Sequence, residues 1–413
     1  PKGGVERTLF DETRWLEAAG HEVGHFATRD ARNVPSRFAH HFAPAATYGE
    51  DVPAWRQLPQ LPRAVWSAPA ARALAGLLDE WRPDVAHVHA PSRYLTPSVI
   101  GELARQRVPV VMTLHDFKPW CTNRILFAHG AFCERCRGGQ HWHAATTGCV
   151  QDSFAKSVVG AFEAYDHDRR HAYAPVRTFL APSRFARDQA VRMGAEAARI
   201  TVLGHGVEAA TPAVWTGPAI PERFVLHVGR LSPEKGVAQL PALARAIAPV
   251  PLWVAGGGPR EAWLRAAAPA NLVVLGACTP EALATVRARA SVVVVPSVFP
   301  ETFGYVVAEA LLDATERHAR AAIARLPRGR FTFEDVLDDD GLGHGPLPIR
   351  VMLTIGGGRV RADFTGTAPQ AAGPVNAVRA VTTAAVLYAT RCVLAEDVAV
   401  NDGLLRAIEV VTP

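Results

Sequence analysis

Short apolar runs that each lead into a turn and then a helix-forming segment recur through most of this chain. Runs of this kind, rich in Val, Ile and Leu, are typical of strands buried on both faces of a parallel sheet. They begin near residues 84, 108, 177, 200, 224, 251, 271 and 291. Because strands that alternate with helices form a parallel sheet covered on both faces, the chain is predicted to have an α/β fold.

A Pro-, Ala- and Thr-rich stretch at 209–221 divides this pattern into two series. Its composition is typical of a linker, so we predict two Rossmann-like domains with a cleft between them, at 1–208 and 222–312. In open parallel sheets the ligand binds at the carboxyl ends of the strands. The predicted binding site therefore lies in the cleft.

The pattern changes from about residue 313. A helix at 315–326 is followed by segments in which polar and apolar residues alternate, separated by glycine turns. Alternation with a period of two is typical of antiparallel strands, so 313–413 is predicted to be an α+β segment. The second Rossmann-like domain is then truncated, and its last strand, at 291–296, is expected to remain an exposed edge.

Composition and charge restrict the possible partners. The chain has 413 residues, of which 49% are hydrophobic, and a formal net charge of +5 that comes mainly from scattered Arg residues. The absence of a dense basic run with interleaved aromatic residues argues against nucleic acid as a partner. No apolar stretch reaches the ~20 residues that cross a bilayer, and the chain has no signal-peptide pattern. We therefore expect a cytoplasmic protein, with peripheral contact at the inner membrane face as an open alternative.

Charged side chains follow two of the predicted strands. Arg230 and Lys235 lie in the turn Gly-Arg-Leu-Ser-Pro-Glu-Lys-Gly, whereas Glu301 and Glu309 follow the strand at 291–296. A pair of cations beside helix N-termini is suited to a pyrophosphate, and carboxylates are suited to ribose and sugar hydroxyls. Cations in a turn are more commonly solvated, but the four residues together predict a nucleotide-sugar site. Glu309 is expected near the C-terminus of a helix at 302–312, where a negative charge is unfavourable, and this favours a functional role.

Several motifs within the first 312 residues together resemble the family 4 retaining glycosyltransferases, which have the GT-B fold of two Rossmann-like domains. They are Gly3-Gly-Val-Glu, Thr113-Leu-His-Asp, Gly229-Arg-Leu-Ser-Pro-Glu-Lys-Gly, Gly256-Gly-Gly-Pro, and Pro300-Glu301 with Glu309. The resemblance implies the transfer of a sugar from a nucleotide-diphosphate donor with retention of configuration. The acceptor, whether a glycan, a lipid or a small molecule, does not follow from the sequence.

The resemblance also implies how the donor phosphates are held. Gly3 and Gly4 would let the backbone approach the donor, because a Cβ atom there would obstruct it. Arg230 and Lys235 would neutralise the diphosphate as it leaves, so that catalysis requires no metal or other cofactor. Electrostatic stabilisation of the leaving group would then contribute most to the rate.

The remaining matched residues would contact the sugar, the phosphates and the ribose. Glu301 would bind hydroxyls of the transferred sugar, and the amides of Phe303 and Gly304 would lie near phosphate. Glu309 would bind the ribose hydroxyls. His115 would lie in the cleft as a hydrogen-bond partner near the sugar, although capping of a strand end is the alternative.

Two other histidines, His87 and His89, alternate on a predicted buried strand. They are interpreted as structural.

A cysteine-bearing insertion at 117–150 follows the predicted strand that leads to His115. Its cysteines are Cys121, Cys133, Cys136 and Cys149. The Cys-Glu-Arg-Cys knuckle with two further cysteines is suited to a closed structural zinc site, in which His141 or His143 could replace one thiolate. Free or redox-active thiols are the alternative, whereas a cytosolic chain disfavours disulfides. The insertion is expected to shape the acceptor side of the cleft.

The segment 313–413 resembles an internal stretch of the hydantoinase B family, which includes N-methylhydantoinases and is related to oxoprolinases. The matching motifs are Thr315-Glu-Arg, Phe333-Glu-Asp-Val-Leu-Asp, Asp363-Phe-Thr-Gly-Thr, Gly373-Pro-Val-Asn and Asn401-Asp-Gly. Three hypotheses follow: a glycosyltransferase, a component of a hydantoinase-related amidohydrolase, or a fusion of two fragments with no activity. The first is favoured because it covers most of the chain, but truncation of the second domain is expected to weaken donor binding.

Overall fold

The computed structural model describes residues 3–45, 58–91, 94–208, 212–394 and 398–413, so that 209–211 of the predicted linker lie outside it. The described helices are α1 (Gly4–Ala18), α2 (Leu61–Val65), α3 (Ala68–Glu80), α4 (Ser98–Arg105), α5 (Trp142–Thr147), α6 (Phe154–Arg169), α7 (Arg184–Met193), α8 (Leu240–Ala246), α9 (Glu261–Ala267), α10 (Pro280–Arg289), α11 (Tyr305–Ile323), α12 (Arg379–Leu394) and α13 (Asp402–Leu405). Among them, none combines the length and the apolar character that a membrane crossing requires.

The strands belong to three four-stranded sheets and one two-stranded hairpin. They are β1 (Ala86–His89), β2 (Val110–Thr113), β3 (Phe127–Ala128), β4 (Ala131–Phe132), β5 (Val176–Ala181), β6 (Ile200–Val202), β7 (Val225–Val228), β8 (Leu252–Ala255), β9 (Leu272–Gly276), β10 (Val292–Val294), β11 (Gly329–Leu337), β12 (Leu347–Gly356), β13 (Arg359–Asp363) and β14 (Ile408–Val411). Strands and helices alternate as far as α11, which confirms the predicted α/β fold.

The first sheet has the strand order β1-β2-β5-β6, and all of its pairings are parallel. Its buried side chains form one continuous core with those of α3, α4 and α7. The Ser183 hydroxyl caps α7 by accepting a hydrogen bond from the Ala186 amide at 3.0 Å, and Gly194 ends this helix in a left-handed conformation. Local capping and core packing therefore specify the same boundaries for α7.

The second sheet has the order β10-β7-β8-β9 and is also parallel throughout. Every residue of β8 is buried, with Leu252 and Val254 in the core on one face and Trp253 and Ala255 in the core on the other. This is the pattern that a strand covered by helices on both faces requires. At the edge, β10 exposes 53% of Val292, in agreement with the expected open edge.

Helix α11 joins the second sheet to the C-terminal segment. It runs without a break from Tyr305 to Ile323, whereas the sequence predicted separate helices at 302–312 and 315–326. That prediction was wrong because this stretch contains neither Gly nor Pro and consists largely of good helix formers, so nothing ends the first helix. The last turns of α11 belong to the core of the third sheet.

The third sheet has the order β11-β12-β13-β14. The first two pairings are antiparallel, as predicted, and β14 adds to β13 in parallel. Its core is formed with α11 and α12, whereas β11 exposes large apolar side chains that include Phe331 and Phe333.

Candidate active site

A cavity of about 440 Å³ lies between the carboxyl ends of the first and second sheets. Its volume is within the range of about 300–1,000 Å³ that is usual for small-molecule sites. Eight of the nine residues predicted for donor binding or catalysis line it: Gly3, Gly4, His115, Arg230, Lys235, Glu301, Phe303 and Gly304. The ninth, Glu309, does not belong to the lining.

Glycines bring the loops of the second sheet close together. Gly256 has a φ of +139°, and a Cβ atom there would lie 1.9 Å from the Gly229 carbonyl oxygen. Gly236 has a φ of +71°, and its Cβ atom would lie 1.9 Å from the Pro296 carbonyl oxygen. Only glycine permits these approaches, which bring the turn with Arg230 and Lys235 against the loops that follow β8 and β10.

Lys235 and Glu301 form an ion pair on the cavity wall. The Lys235 Nζ donates to Glu301 Oε1 at 2.5 Å, and the Ser297 hydroxyl donates to the same oxygen at 2.8 Å. Both charged side chains are partly exposed. Arg230 has an exposed side chain, so its positive charge also reaches the cavity.

The N-terminus of α11 points at the cavity. Gly304 precedes the helix in a left-handed conformation with a φ of +82°, and the first turn of the helix lines the cavity without an acidic residue. The unpaired amides of a helix N-terminus and the positive end of the helix dipole attract anions. This wall is therefore suited to a phosphate group, and the phosphate contacts of Phe303 and Gly304 stay a prediction.

Glu309 is held in a buried ion-pair network and does not face the cavity. Arg7 Nη1 donates to Glu309 Oε1 at 2.5 Å, and Arg287 Nη1 donates to Oε2 at 2.6 Å. Each oxygen therefore already accepts from a guanidinium group, and the binding of ribose by Glu309 stays a prediction. The expectation of a helix C-terminus was wrong, because α11 begins at Tyr305 and Glu309 lies in its second turn.

The same network reaches the C-terminal segment. Arg287 Nε donates to Asp313 Oδ2 at 2.7 Å, and Arg406 Nη1 donates to Asp313 Oδ1 at 2.9 Å.

Sequence reasoning missed Arg7 and Arg287. The position of Arg7 one turn after the paired glycines could have marked it, whereas Arg287 stands among other Arg residues in α10 without a distinguishing signal.

His115 lies in the cavity wall as a neutral imidazole. Its Nε2 lies 2.8 Å from His89 Nδ1, and its ring stacks on His205 with centroids 5.3 Å apart. Burial, with additional effects from neighbouring histidines, lowers the pKa of His115 to about 3. His205, which sequence reasoning did not select, stacks in turn on Tyr305 at 5.4 Å. His115 can therefore exchange hydrogen bonds with a ligand but carries no positive charge at neutral pH.

Direct contacts close the cleft around the cavity. The Thr8 and Tyr305 hydroxyls lie 2.7 Å apart, and the Ser183 hydroxyl donates to the Thr302 carbonyl at 2.7 Å. The Thr302 hydroxyl donates to the His115 carbonyl at 3.2 Å. The first turn of α11 and the loop before it are thus fixed against the first sheet.

The four cysteines of the insertion are not gathered around a single point within the described residues. All are free thiols, and within the described residues no three of their sulfurs lie within 4.8 Å of one another, although four thiolates on zinc would lie about 3.8 Å apart. Burial raises the pKa of Cys121 to about 12. For Cys136, burial raises the pKa, but hydrogen bonds with His141 and Thr122 outweigh this effect, and the pKa is lowered. A structural zinc site at these cysteines stays a prediction.

Two parallel sheets that face each other across a cavity define the GT-B class of glycosyltransferase fold. The sucrose-phosphate synthase of Thermosynechococcus elongatus has a similar structure, with a TM-score of 0.51 and 18% identity over 75% of this chain and 74% of that chain. At this identity the similarity shows the fold alone.

The family is shown by the sequence. The model of Glycosyltransferase Family 4 matches residues 2–211, and that of glycosyl transferases group 1 matches residues 222–313. Since the first match covers half of the chain, this protein belongs to Glycosyltransferase Family 4, as its motifs indicated.

The C-terminal segment has other relatives. The model of hydantoinase B/oxoprolinase matches residues 305–413 and so begins with α11. The 5-oxoprolinase 1 of Arabidopsis thaliana is 38% identical over 80 residues, which are 19% of this chain and 6% of the relative. The 5-oxoprolinase of Saccharomyces cerevisiae is 34% identical over 84 residues, which are 20% of this chain and 6% of the relative. The predicted second resemblance is confirmed, and the chain spans a small part of these relatives.

Proposed function

We propose that this protein transfers a sugar from a nucleotide-diphosphate sugar to an acceptor hydroxyl with retention of configuration. The observation that carries the proposal is the pairing of Lys235 with Glu301 at the N-terminus of α11, inside the cavity between the two sheets. A cation, a carboxylate and a helix N-terminus on one wall match the two parts of such a donor, which are a dianionic diphosphate and a sugar rich in hydroxyl groups.

The diphosphate would lie against the amides at the start of α11, with Arg230 and Lys235 on its other side. Negative charge grows on the diphosphate as its bond to the sugar breaks. Cations and helix dipoles that already point at this position stabilise the transition state without having to reorganise. Lys235 would exchange part of its contact with Glu301 for the phosphate oxygens.

Glu301 would then accept hydrogen bonds from hydroxyl groups of the transferred sugar. The neutral imidazole of His115, across the cavity, supplies a further hydrogen-bond partner for the sugar. Because its pKa lies far below neutrality, we assign His115 to positioning of the sugar and not to transfer of a proton.

The acceptor would enter beside the cysteine-bearing insertion. Phe117, Arg124 and Ile125 belong to this insertion and line the cavity. Their apolar and cationic side chains form the wall opposite the loops of the second sheet.

Binding of UDP, GDP and ADP, measured by isothermal titration calorimetry on the full chain, tests the proposal. We expect one of these nucleotides to bind, and Lys235→Ala to weaken its binding by about 10–100-fold, because a charge-assisted hydrogen bond contributes about 1.5–3 kcal/mol. Glu301→Gln should keep the affinity for the nucleotide but weaken that for the corresponding nucleotide sugar.

The matched control is Lys156→Ala, which removes an exposed lysine of α6 that does not line the cavity. Its affinity should equal that of the unmodified protein. Equal binding by the Lys235 and Lys156 variants, or binding of none of the three nucleotides, would contradict the proposal.

A further inference from the structure

A second cluster of chemically capable side chains lies behind the cavity, between α1 and the edge strand β1. His87 and His89 are alternate residues of β1, so their side chains project from the same face, and their ring centroids are 4.1 Å apart. Glu12 of α1 faces them. Its Oε2 lies 3.3 Å from His87 Nδ1 and 3.5 Å from His89 Nε2.

These distances match the coordination shell of a metal ion. Bonds of about 2.1 Å to histidine nitrogen and carboxylate oxygen in a tetrahedral shell place neighbouring ligand atoms about 3.4 Å apart. All three ligand atoms lie within 4.8 Å of one another. A cation could therefore enter between them with little movement of the side chains.

The outward-facing nitrogens of both rings are already engaged. His87 Nε2 lies 2.7 Å from the Thr113 hydroxyl, and His89 Nδ1 lies 2.8 Å from His115 Nε2. Histidines that bind metals usually donate their other N–H to such a partner, which fixes the ring and its tautomer. The nitrogen left over on each ring is the one that faces Glu12.

The charges around Glu12 are unbalanced. Among the described residues, none of the ion pairs of Glu12 involves a lysine or arginine, since Arg7 and Arg14 of the same helix pair with Asp11, Glu309 and Glu208. The Glu12 side chain is only 25% exposed, and a carboxylate in this position lacks the cation that ordinarily accompanies a charge withdrawn from water.

We propose that Glu12, His87 and His89 bind a divalent transition-metal ion of the zinc class, which fastens α1 to the edge of the first sheet. Two imidazoles with one carboxylate suit zinc and its neighbours, whereas magnesium and calcium prefer shells of oxygen. Since α1 carries Gly3, Gly4 and Arg7 to the cavity, the ion would hold one wall of the site in place. No step of sugar transfer passes through it.

A similar set on the surface provides a comparison. His40 and His41 both contact one oxygen of Glu80, at 2.9 Å and 2.7 Å. His40 and Glu80 are largely exposed, and within the described residues neither imidazole has an outer partner at its second nitrogen. Hydrogen bonds alone explain that arrangement, so it serves as the control.

Titration of the metal-stripped full chain with Co²⁺, followed by visible absorption and calorimetry, tests the proposal. We expect d–d bands of cobalt bound to nitrogen and oxygen that disappear in Glu12→Gln, whereas any thiolate charge-transfer band from the cysteine-bearing insertion should persist in that variant. Glu12→Gln should weaken binding by at least about 100-fold, because loss of an outer partner alone costs about 10–100-fold. Thr113→Val, which removes such a partner, should fall within that smaller range.

The double variant His40→Ala/His41→Ala should bind Co²⁺ with unchanged affinity. Zn²⁺ should raise the melting temperature of the unmodified chain, and this increase should be smaller in Glu12→Gln, whose similar size keeps α1 intact as judged by circular dichroism. Unchanged affinity in Glu12→Gln, a purely thiolate-type spectrum, or no binding would each overturn the proposal, and none of these results depends on sugar transfer.

Discussion

The two parallel sheets have the same number of strands but differ in how they are completed. The first has one continuous core, and its edge strand β1 buries Val88. The second divides its core between two faces, and its edge strand β10 exposes Val292. The cations and the carboxylate of the candidate site nevertheless belong to the second sheet. Donor binding is therefore expected to depend on the less completely covered half of the molecule.

An ion-pair network joins the helices of the second sheet to the rest of the molecule. Arg287 connects α10 to Glu309 and Asp313 of α11, and Arg7 and Arg406 extend these contacts to the first sheet and the C-terminal segment. The first sheet is stabilised mainly by apolar packing, so the removal of any single polar side chain should change its stability little. In the second sheet, a single buried guanidinium connects several elements, and this difference can be tested.

The largest effect is expected for Arg287→Met. This change leaves the buried carboxylates of Glu309 and Asp313 without one of their cations, and breaking a buried pair costs about 3–5 kcal/mol. Urea denaturation followed by circular dichroism measures the loss. Arg289→Met, at an exposed position of the same helix, is the control and should change stability by less than about 0.5 kcal/mol. Similar stabilities of the two variants would show that the network does not hold the second sheet.

A smaller effect is expected for Gly256→Ala. The positive φ alone costs about 1–3 kcal/mol for a residue with a Cβ atom, and the contact with the Gly229 carbonyl adds to this. Because the strain falls on the loop that carries Arg230, binding of the nucleotide should weaken together with thermal stability. Gly101→Ala in α4 of the first sheet, where the nearest atoms are 3.6 Å away, should be neutral or slightly stabilising. An unchanged melting temperature in Gly256→Ala would contradict the argument.

The periodicity of apolar residues in the sequence was sufficient to predict most of the fold. The predicted strands near 177 and 291 correspond to β5 and β10, because short apolar runs between turn residues have few other stable arrangements in a parallel sheet. The continuity of α11 was missed because the change of sequence pattern near residue 313 was taken as the end of a helix. Helices end at physical signals such as Gly or Pro, and none lies there.

The candidate site was predictable in composition but not in pairing. Residues that follow strands on the same edge of a sheet had to meet, which explains why Lys235 and Glu301 are in contact. The partners of Glu309 come from α1 and α10, and no local pattern could indicate that two guanidinium groups would reach it. Likewise, alternation on β1 predicted that His87 and His89 share a face, but only the packing of α1 shows Glu12 opposite them.

The third prediction concerns acidity in the second sheet. His227 of β7 is buried, and burial lowers its pKa, opposed by a hydrogen bond with the Val294 carbonyl and reinforced by the charge of Lys235. Because this pKa is lowered in the folded protein, the unfolded chain takes up the proton at a higher pH than the folded chain does. The contribution of His227 to the free energy of unfolding is therefore fully present above about pH 6.5. It falls as the pH decreases below that value, by at most about 1.4 kcal/mol per pH unit.

Urea denaturation at pH 7.5 and pH 5.5 isolates this contribution by comparison with His227→Gln. Between pH 7.5 and pH 5.5 the free energy of unfolding should fall by about 1 kcal/mol less in the variant than in the unmodified protein, since the other histidines act equally in both. An equal loss in the two proteins would show that the imidazole in β7 does not contribute to acid sensitivity.

The smallest effect separates the two edge strands directly. Val292→Thr in β10 replaces an exposed methyl group by a hydroxyl that water can solvate, so stability should change by less than about 0.5 kcal/mol. The matched change Val88→Thr in β1 buries the hydroxyl and should cost about 1–3 kcal/mol unless the group finds a partner. Thermal melts of the two variants measure the contrast. Equal losses would mean that β10 is covered in solution, and the second sheet would then be no less complete than the first.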